Sequence, residues 1–280
     1  MTWRSLFLAC LVATSAVAQD VYVPPVPIGI KGEEAKTRTP KRPIPFPAED
    51  EPWIRVRSPH FDIISSASEA QTRTIADQLE TLASALTRFE QNAAPATIFV
   101  FAKRRESQPY FDLLIGREKT TVTGMYVRHD GGGTMFVDAA QRRFERTALH
   151  ELIHDLLRQS DIAPPLWLEE GLAEYFGNAE LRRNGIVAGG SIPEHVALLG
   201  RIERMPLEQL FAVKAESETA TLPMFYAQSW AAVDWLMHLD RTRIWPFLQD
   251  LERGVATADA LRTHYGKSLD EMEKAIRGRR

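Results

Sequence analysis

The sequence predicts an α+β fold, with a small N-terminal mixed sheet and its helices followed by a helical half. Short segments rich in β-branched and aromatic residues occur up to about residue 140. From about residue 143, apolar residues recur at helical spacing almost to the C terminus. The chain has 280 residues, of which 44% are hydrophobic, enough to bury a core. Strands that precede a run of helices are typical of the α+β class.

Residues 1–18 are typical of a secretory signal peptide. Arg4 supplies a positive start, residues 6–12 are apolar, and an Ala-Val-Ala cleavage site ends at Ala18. The apolar run is shorter than the roughly 20 residues of a membrane-spanning helix. A lipoprotein anchor at Cys10 is disfavoured because the preceding residues match that signal poorly. We therefore expect cleavage after Ala18, no stable membrane span, and a protein that acts in the periplasm or outside the cell.

Residues 19–52 are rich in proline and carry scattered charge, which predicts an extended leader or linker. The remainder, 53–280, is predicted to form one domain with a sheet part, 53–140, and a helical part, 141–280. The formal net charge is -3 and the isoelectric point is about 6.2. Neither value gives an electrostatic reason to expect nucleic acid as a partner.

The predicted elements follow from hydrophobic periodicity and from the positions of glycine and proline. In the sheet part, a Gly-rich turn is expected to join the last two strands as a hairpin. The predicted strands are 53–57, 60–64, 97–102, 122–128 and 134–137, with a helix from Ser68 to about residue 92. The predicted helices of the second half are 143–160, 165–177, 193–203, 224–239, 243–252, 256–264 and 268–278.

The helix predicted over 143–160 contains the pattern His-Glu-x-x-His, at His150, Glu151 and His154. Residues four apart share a helix face, so both imidazoles can reach one cation. Glu151 lies about 100° away around the helix, where it can reach a water beside the cation without binding the cation itself. The alternative is two histidines on an ordinary helix. The spacing favours a zinc ion, Zn2+, because zinc binds neutral imidazole nitrogen.

A catalytic zinc site needs a third protein ligand and one open position. The metzincin arrangement is excluded, because Leu157 and Ser160 stand where that pattern has Gly and His. A second acidic block follows at 166–176, Leu-Trp-Leu-Glu-Glu-Gly-Leu-Ala-Glu-Tyr-Phe. On a helix, Glu170 and Glu174 share a face and Glu169 points about 100° away.

Together the two blocks resemble the gluzincin clan of zinc peptidases, and the order of elements is similar to exported bacterial proteins of the peptidase-MA-like group. The resemblance implies that Glu170 is the third metal ligand and that Glu174 orients a ligand imidazole. It also implies that Glu151 is the general base of a peptidase. Tyr226 resembles the downstream catalytic tyrosine of aminopeptidase-like gluzincins, and the alternative is a tyrosine packed in the core.

The resemblance thus predicts an exported zinc peptidase that acts on peptide or protein substrates. One strand of the hairpin, 122–128 or 134–137, is expected to present a free edge to an extended substrate. Two other functions remain open: a zinc-binding protein that binds peptides without cleaving them, and a zinc hydrolase of a non-peptide amide or ester. The remaining histidines lack ligand spacing and are expected in core or surface roles: His60, His129, His195, His238 and His264.

Overall fold

A computed structural model describes most of the chain. The described residues are 18–21, 53–86, 95–115, 123–129, 132–140, 144–159, 163–182, 185–215 and 217–278. The predicted α+β architecture is confirmed, with a mixed sheet in the N-terminal part followed by helices. Most of the predicted signal peptide and leader lies outside the described residues.

The main sheet has the strand order β1-β2-β3-β4-β6-β5. The central neighbours β3–β4 and β4–β6 are parallel and the other pairs are antiparallel. Its strands are β1 (Ala18–Val21), β2 (Ile54–Arg57), β3 (Phe61–Ser65), β4 (Ala96–Phe101), β5 (Gly124–His129) and β6 (Gly132–Asp138). The start of the predicted leader thus pairs with β2, and β5 forms the opposite edge of the sheet.

The two parallel pairings require crossover connections, and helices supply them. Helix α1 (Glu69–Leu86) follows β3, and the hydroxyl of Ser68 caps its N-terminal turn by accepting a hydrogen bond from the backbone N–H of Gln71. Helix α2 (Arg104–Ile115) follows β4 and was not predicted, because Pro109 lies inside it. An aromatic-rich core joins the sheet to α2: Trp53, Ile64, Phe99, Phe101, Tyr110, Phe111 and Phe136.

The helices of the second half agree with the predicted segments to within one or two residues at most ends. They are α3 (Phe144–Gln159), α4 (Leu166–Gly177), α5 (Pro193–Arg201), α6 (Leu207–Ala212), α7 (Pro223–Asp240), α8 (Ile244–Glu252), α9 (Thr257–Tyr265) and α10 (Leu269–Gly278). Helix α6 and a small hairpin between α4 and α5, β7 (Glu180–Arg182) and β8 (Gly185–Val187), were not predicted.

The chain divides into two compact units, with the division inside α3 after Asp155. The first unit contains the sheet, α1 and α2. In the second, α7 is the central helix and contacts α4, α5, α6, α8, α9 and α10. Helix α7 is buried almost all round, as expected for a helix that is apolar on most of its faces.

Candidate metal centre

Helix α3 places the His-Glu-x-x-His residues on an otherwise apolar stretch. The neighbouring side chains are buried and hold the helix in place: Leu149, Leu152, Ile153, Leu156 and Leu157. His150 is half-buried and Glu151 is buried, only 8% exposed. The Nε2 atoms of His150 and His154 lie 3.2 Å apart, as the predicted sharing of one face requires.

Helix α4 begins after a pair of prolines, and the carbonyl oxygen of Pro165 accepts hydrogen bonds from the backbone N–H groups of Leu168 and Glu169. The helix packs tightly against α7 at Gly171, where a Cβ would lie 2.5 Å from the carbonyl oxygen of Ser229 and 2.5 Å from Val233. Gly171 therefore follows Glu170 for a structural reason: only glycine allows this close approach of the two helices.

Three side chains bring potential metal-ligand atoms together: His150, His154 and Glu170. Each offers one atom, and all three atoms lie within 4.8 Å of one another. The Oε2 atom of Glu170 is buried. Among the described residues the group contains Glu170 and not Glu169. The group could hold a metal ion, which agrees with the ligand set that the resemblance implied.

The spacing of the two imidazole nitrogens is compatible with one shared metal ion. Two nitrogens bound to one zinc ion at about 2.0–2.1 Å with a tetrahedral angle lie about 3.3–3.4 Å apart. The observed separation of the two Nε2 atoms is 3.2 Å. Two imidazoles and one carboxylate are also a donor set typical of catalytic zinc sites, in which the fourth position stays open.

The edge strand β5 lies close to Glu151. Gly124, at the start of β5, has no side chain, and a Cβ there would lie 3.3 Å from Oε1 of Glu151 and 2.1 Å from Cγ2 of Thr147. The hydroxyls of Thr123 and Thr147 are 3.0 Å apart and also join this strand to α3. Among the described residues β5 is the edge strand, and its start thus lies beside the carboxylate of the predicted general base.

Glu174 lies one turn after Glu170 on α4 and pairs with a histidine that sequence reasoning set aside. Its Oε2 atom lies 2.9 Å from Nε2 of His195, on α5. The two side chains are 12% and 13% exposed. No spacing signal in the sequence connects positions 174 and 195, because a hairpin and a helix start separate them.

Tyr226 lies in the first turn of α7, is half-buried, and has its ring 5.7 Å from that of Phe225. Its predicted role as a hydrogen-bond donor in catalysis stays a prediction. Tyr175 on α4 is buried, and burial raises its pKa, with a further increase from Asp234 and an opposing effect of Arg241.

Three other histidines lie in settings that account for them without a metal. His60 pairs with Glu80 at 2.6 Å, next to the turn that joins β2 and β3. His264 pairs with Asp250 at 2.7 Å, joining α9 to α8. His238 is largely exposed, and its Nδ1 lies 2.7 Å from the carbonyl oxygen of Asp234. None of the three belongs to the metal-ligand group found among the described residues.

No protein-family model matches the chain, and no curated protein matches it. The likeness to gluzincins therefore rests on the motifs themselves. Among the described residues, no helix has the length and apolarity needed to cross a membrane.

Proposed function

We propose that this protein is an exported zinc peptidase. The observation that carries the proposal is the convergence of His150, His154 and Glu170 beside a buried Glu151. The first three residues supply the ligands and the fourth supplies a base that is not a ligand. A closed structural zinc site would instead use four ligands and would have no use for a neighbouring base.

In the proposed mechanism the metal ligands, Glu151 and Tyr226 have separate roles. A zinc ion held by the three ligands would lower the pKa of a water to about 7 and polarise the carbonyl of the scissile bond. The Glu151 carboxylate accepts the proton of the attacking water and then passes it to the leaving amine nitrogen. The Tyr226 hydroxyl is the proposed donor to the carbonyl oxygen as negative charge develops there.

The outer edge of β5, which is the edge strand among the described residues, is the proposed binding surface for the substrate backbone. An extended peptide that pairs with an edge strand gains main-chain hydrogen bonds, largely independent of its side chains. Gly124 lies beside Glu151 at the start of this edge, so a peptide added to the edge would pass near the general base. A proline at Tyr126, within β5, should raise KM more than it lowers kcat.

The proposed site of action is the periplasm or the extracellular space. This part of the proposal rests on the positive start, the apolar run and the small-residue site of the predicted signal peptide. Its test is the N-terminal sequence of the protein recovered from its producing cells, which should begin at Gln19.

The decisive experiment for the activity compares two glutamates of α3. Glu151→Gln should retain one equivalent of zinc and lose peptide hydrolysis by about 10²–10⁴-fold, because the general base is gone. Glu145→Gln, in the first turn of the same helix, should leave both zinc and activity unchanged. The measurements are metal content of the purified protein and cleavage of an unbiased peptide library.

The alternatives give distinct results in the same experiment. A wild-type protein that binds zinc and cleaves non-peptide amides or esters but no peptide is a zinc hydrolase of another class. One that binds zinc and peptides without turnover is a binding protein. Full peptide hydrolysis by Glu151→Gln would contradict the proposed mechanism.

A further inference from the structure

The pair formed by Glu174 and His195 lies outside the ligand set but on the helix that carries Glu170. Their side chains are 12% and 13% exposed, so little water surrounds the 2.9 Å contact. A hydrogen bond to an ionised carboxylate is stronger than a hydrogen bond between two neutral groups, and shielding from water strengthens it further. Holding a charged side chain in this setting requires such a partner.

His195 also contacts a buried aromatic ring. Its ring lies 5.7 Å from the ring of Trp230, which is 1% exposed in the middle of α7. Helix α5 contacts α7, and the N-cap residue of α5, Ile192, is buried. The imidazole therefore links α4 to a well-packed part of the helical unit.

The position of Glu174 on α4 connects this pair to the candidate metal centre. Residues four apart lie on the same face of a helix, so a hydrogen bond at Glu174 holds in place the turn of α4 that carries Glu170. We propose that His195 is a positioning residue for the metal centre: it holds Glu174 and thereby orients the ligand face of α4. This inference rests on the proposed function, because it assumes that the group of His150, His154 and Glu170 binds zinc.

A second pair in the same unit provides a matched control. His264 Nε2 lies 2.7 Å from Oδ2 of Asp250, and the side chains are 14% and 23% exposed. Each pair joins two helices, each uses the same ring nitrogen, and the two histidines are equally shielded. The pairs differ in that only Glu174 shares a helix with a member of the metal-ligand group.

The test is zinc affinity, measured on the metal-free full-length protein by competition with a chelator. His195→Phe keeps a ring beside Trp230 but removes the donor, and it should raise the zinc Kd by about 10–100-fold. His195→Gln retains an N–H at similar reach and should restore the Kd to near the wild-type value. His264→Phe should lower thermal stability and leave the Kd within about twofold, because its pair is independent of the ligands.

A merely structural role for His195 predicts a different result. In that case His195→Phe and His264→Phe would both lower Tm and leave the zinc Kd unchanged, which would overturn the proposal. If His195→Phe does not fold, His195→Asn replaces it, since the shorter amide cannot span the distance that Gln spans. Equal zinc affinity of the Asn and Gln variants would then count against the proposal.

The readout separates this inference from the proposed activity. A wild-type protein that binds zinc but cleaves no peptide would contradict the peptidase, while the affinities of the His195 variants would still decide the positioning role. A wild-type protein that binds no zinc would overturn both, and this would be evident before any variant is compared.

Discussion

Helices α3 and α4 contribute to the candidate metal centre in different ways. Helix α3 carries two of the potential ligands and the proposed base within five residues, so helical spacing alone brings the two Nε2 atoms to 3.2 Å. Helix α4 carries Glu170, which belongs to a different helix from the two histidines, so spacing within one helix does not set its distance from them. The position of Glu170 depends on two contacts of α4: the close packing of Gly171 on α7, and the pairing of Glu174 with His195.

The difference shows that helical spacing determines the arrangement of the two histidines, whereas tertiary packing determines the position of Glu170. Substitutions in α3 that preserve the helix and its packing should affect the site only when they change His150, Glu151 or His154. Substitutions in α4 should also act at a distance, by changing how the helix packs. The following predictions test this distinction.

The largest effect is expected from loss of the α4 ligand. Glu170→Gln removes the anionic ligand with little change in size. The zinc Kd should rise by more than about 100-fold, which is the upper value typical for loss of a residue that only hydrogen-bonds a metal ligand. Glu169→Gln, one residue earlier, should leave the Kd unchanged, because Glu169 is not part of the ligand group. Competition with a chelator measures both. Similar losses in the two variants would mean that charge on the helix, rather than ligation by one carboxylate, determines affinity.

A smaller effect is expected where α4 packs on α7. Gly171→Ala places a methyl group 2.5 Å from a backbone oxygen, which α7 cannot move out of the way without repacking. Forced packing of this kind costs about 1–3 kcal/mol of unfolding free energy. The displaced helix should also bind zinc more weakly, although no ligand is changed.

Gly200 in α5 is the control for this prediction, because nothing lies within 4 Å of a Cβ added there. Gly200→Ala should raise the free energy of unfolding by up to about 1 kcal/mol, since alanine favours a helix more than glycine does. Urea unfolding of both variants measures the difference. The same sign of change in the two would show that helix propensity, and not packing, dominates at Gly171.

The contrast between the two helices also explains what the sequence could predict. The spacing of His150, Glu151 and His154 is visible in the chain because it arises within one helix. The identification of Glu170 needed the resemblance as well as the helix geometry. The contact of Glu174 with His195 was not predictable, because it depends on where α5 packs. Helix α2 was also not predictable, because Pro109 interrupts its helical pattern. Tertiary packing nevertheless holds this segment as a helix.

The smallest effect concerns pH and α4. Burial and the nearby Asp234 raise the pKa of Tyr175 above its usual value of 10.0, in spite of Arg241. Below about pH 10 the phenol is neutral in both folded and unfolded chains, so it adds no pH dependence. Above that value the unfolded chain loses the proton first, and stability falls as pH rises towards the folded pKa. Tyr175→Phe removes this loss, so urea unfolding should show wild type and variant to be similar at about pH 8 and the variant relatively more stable at about pH 11. A parallel decline of both proteins would show that other groups control alkaline unfolding and that α4 does not contribute to it.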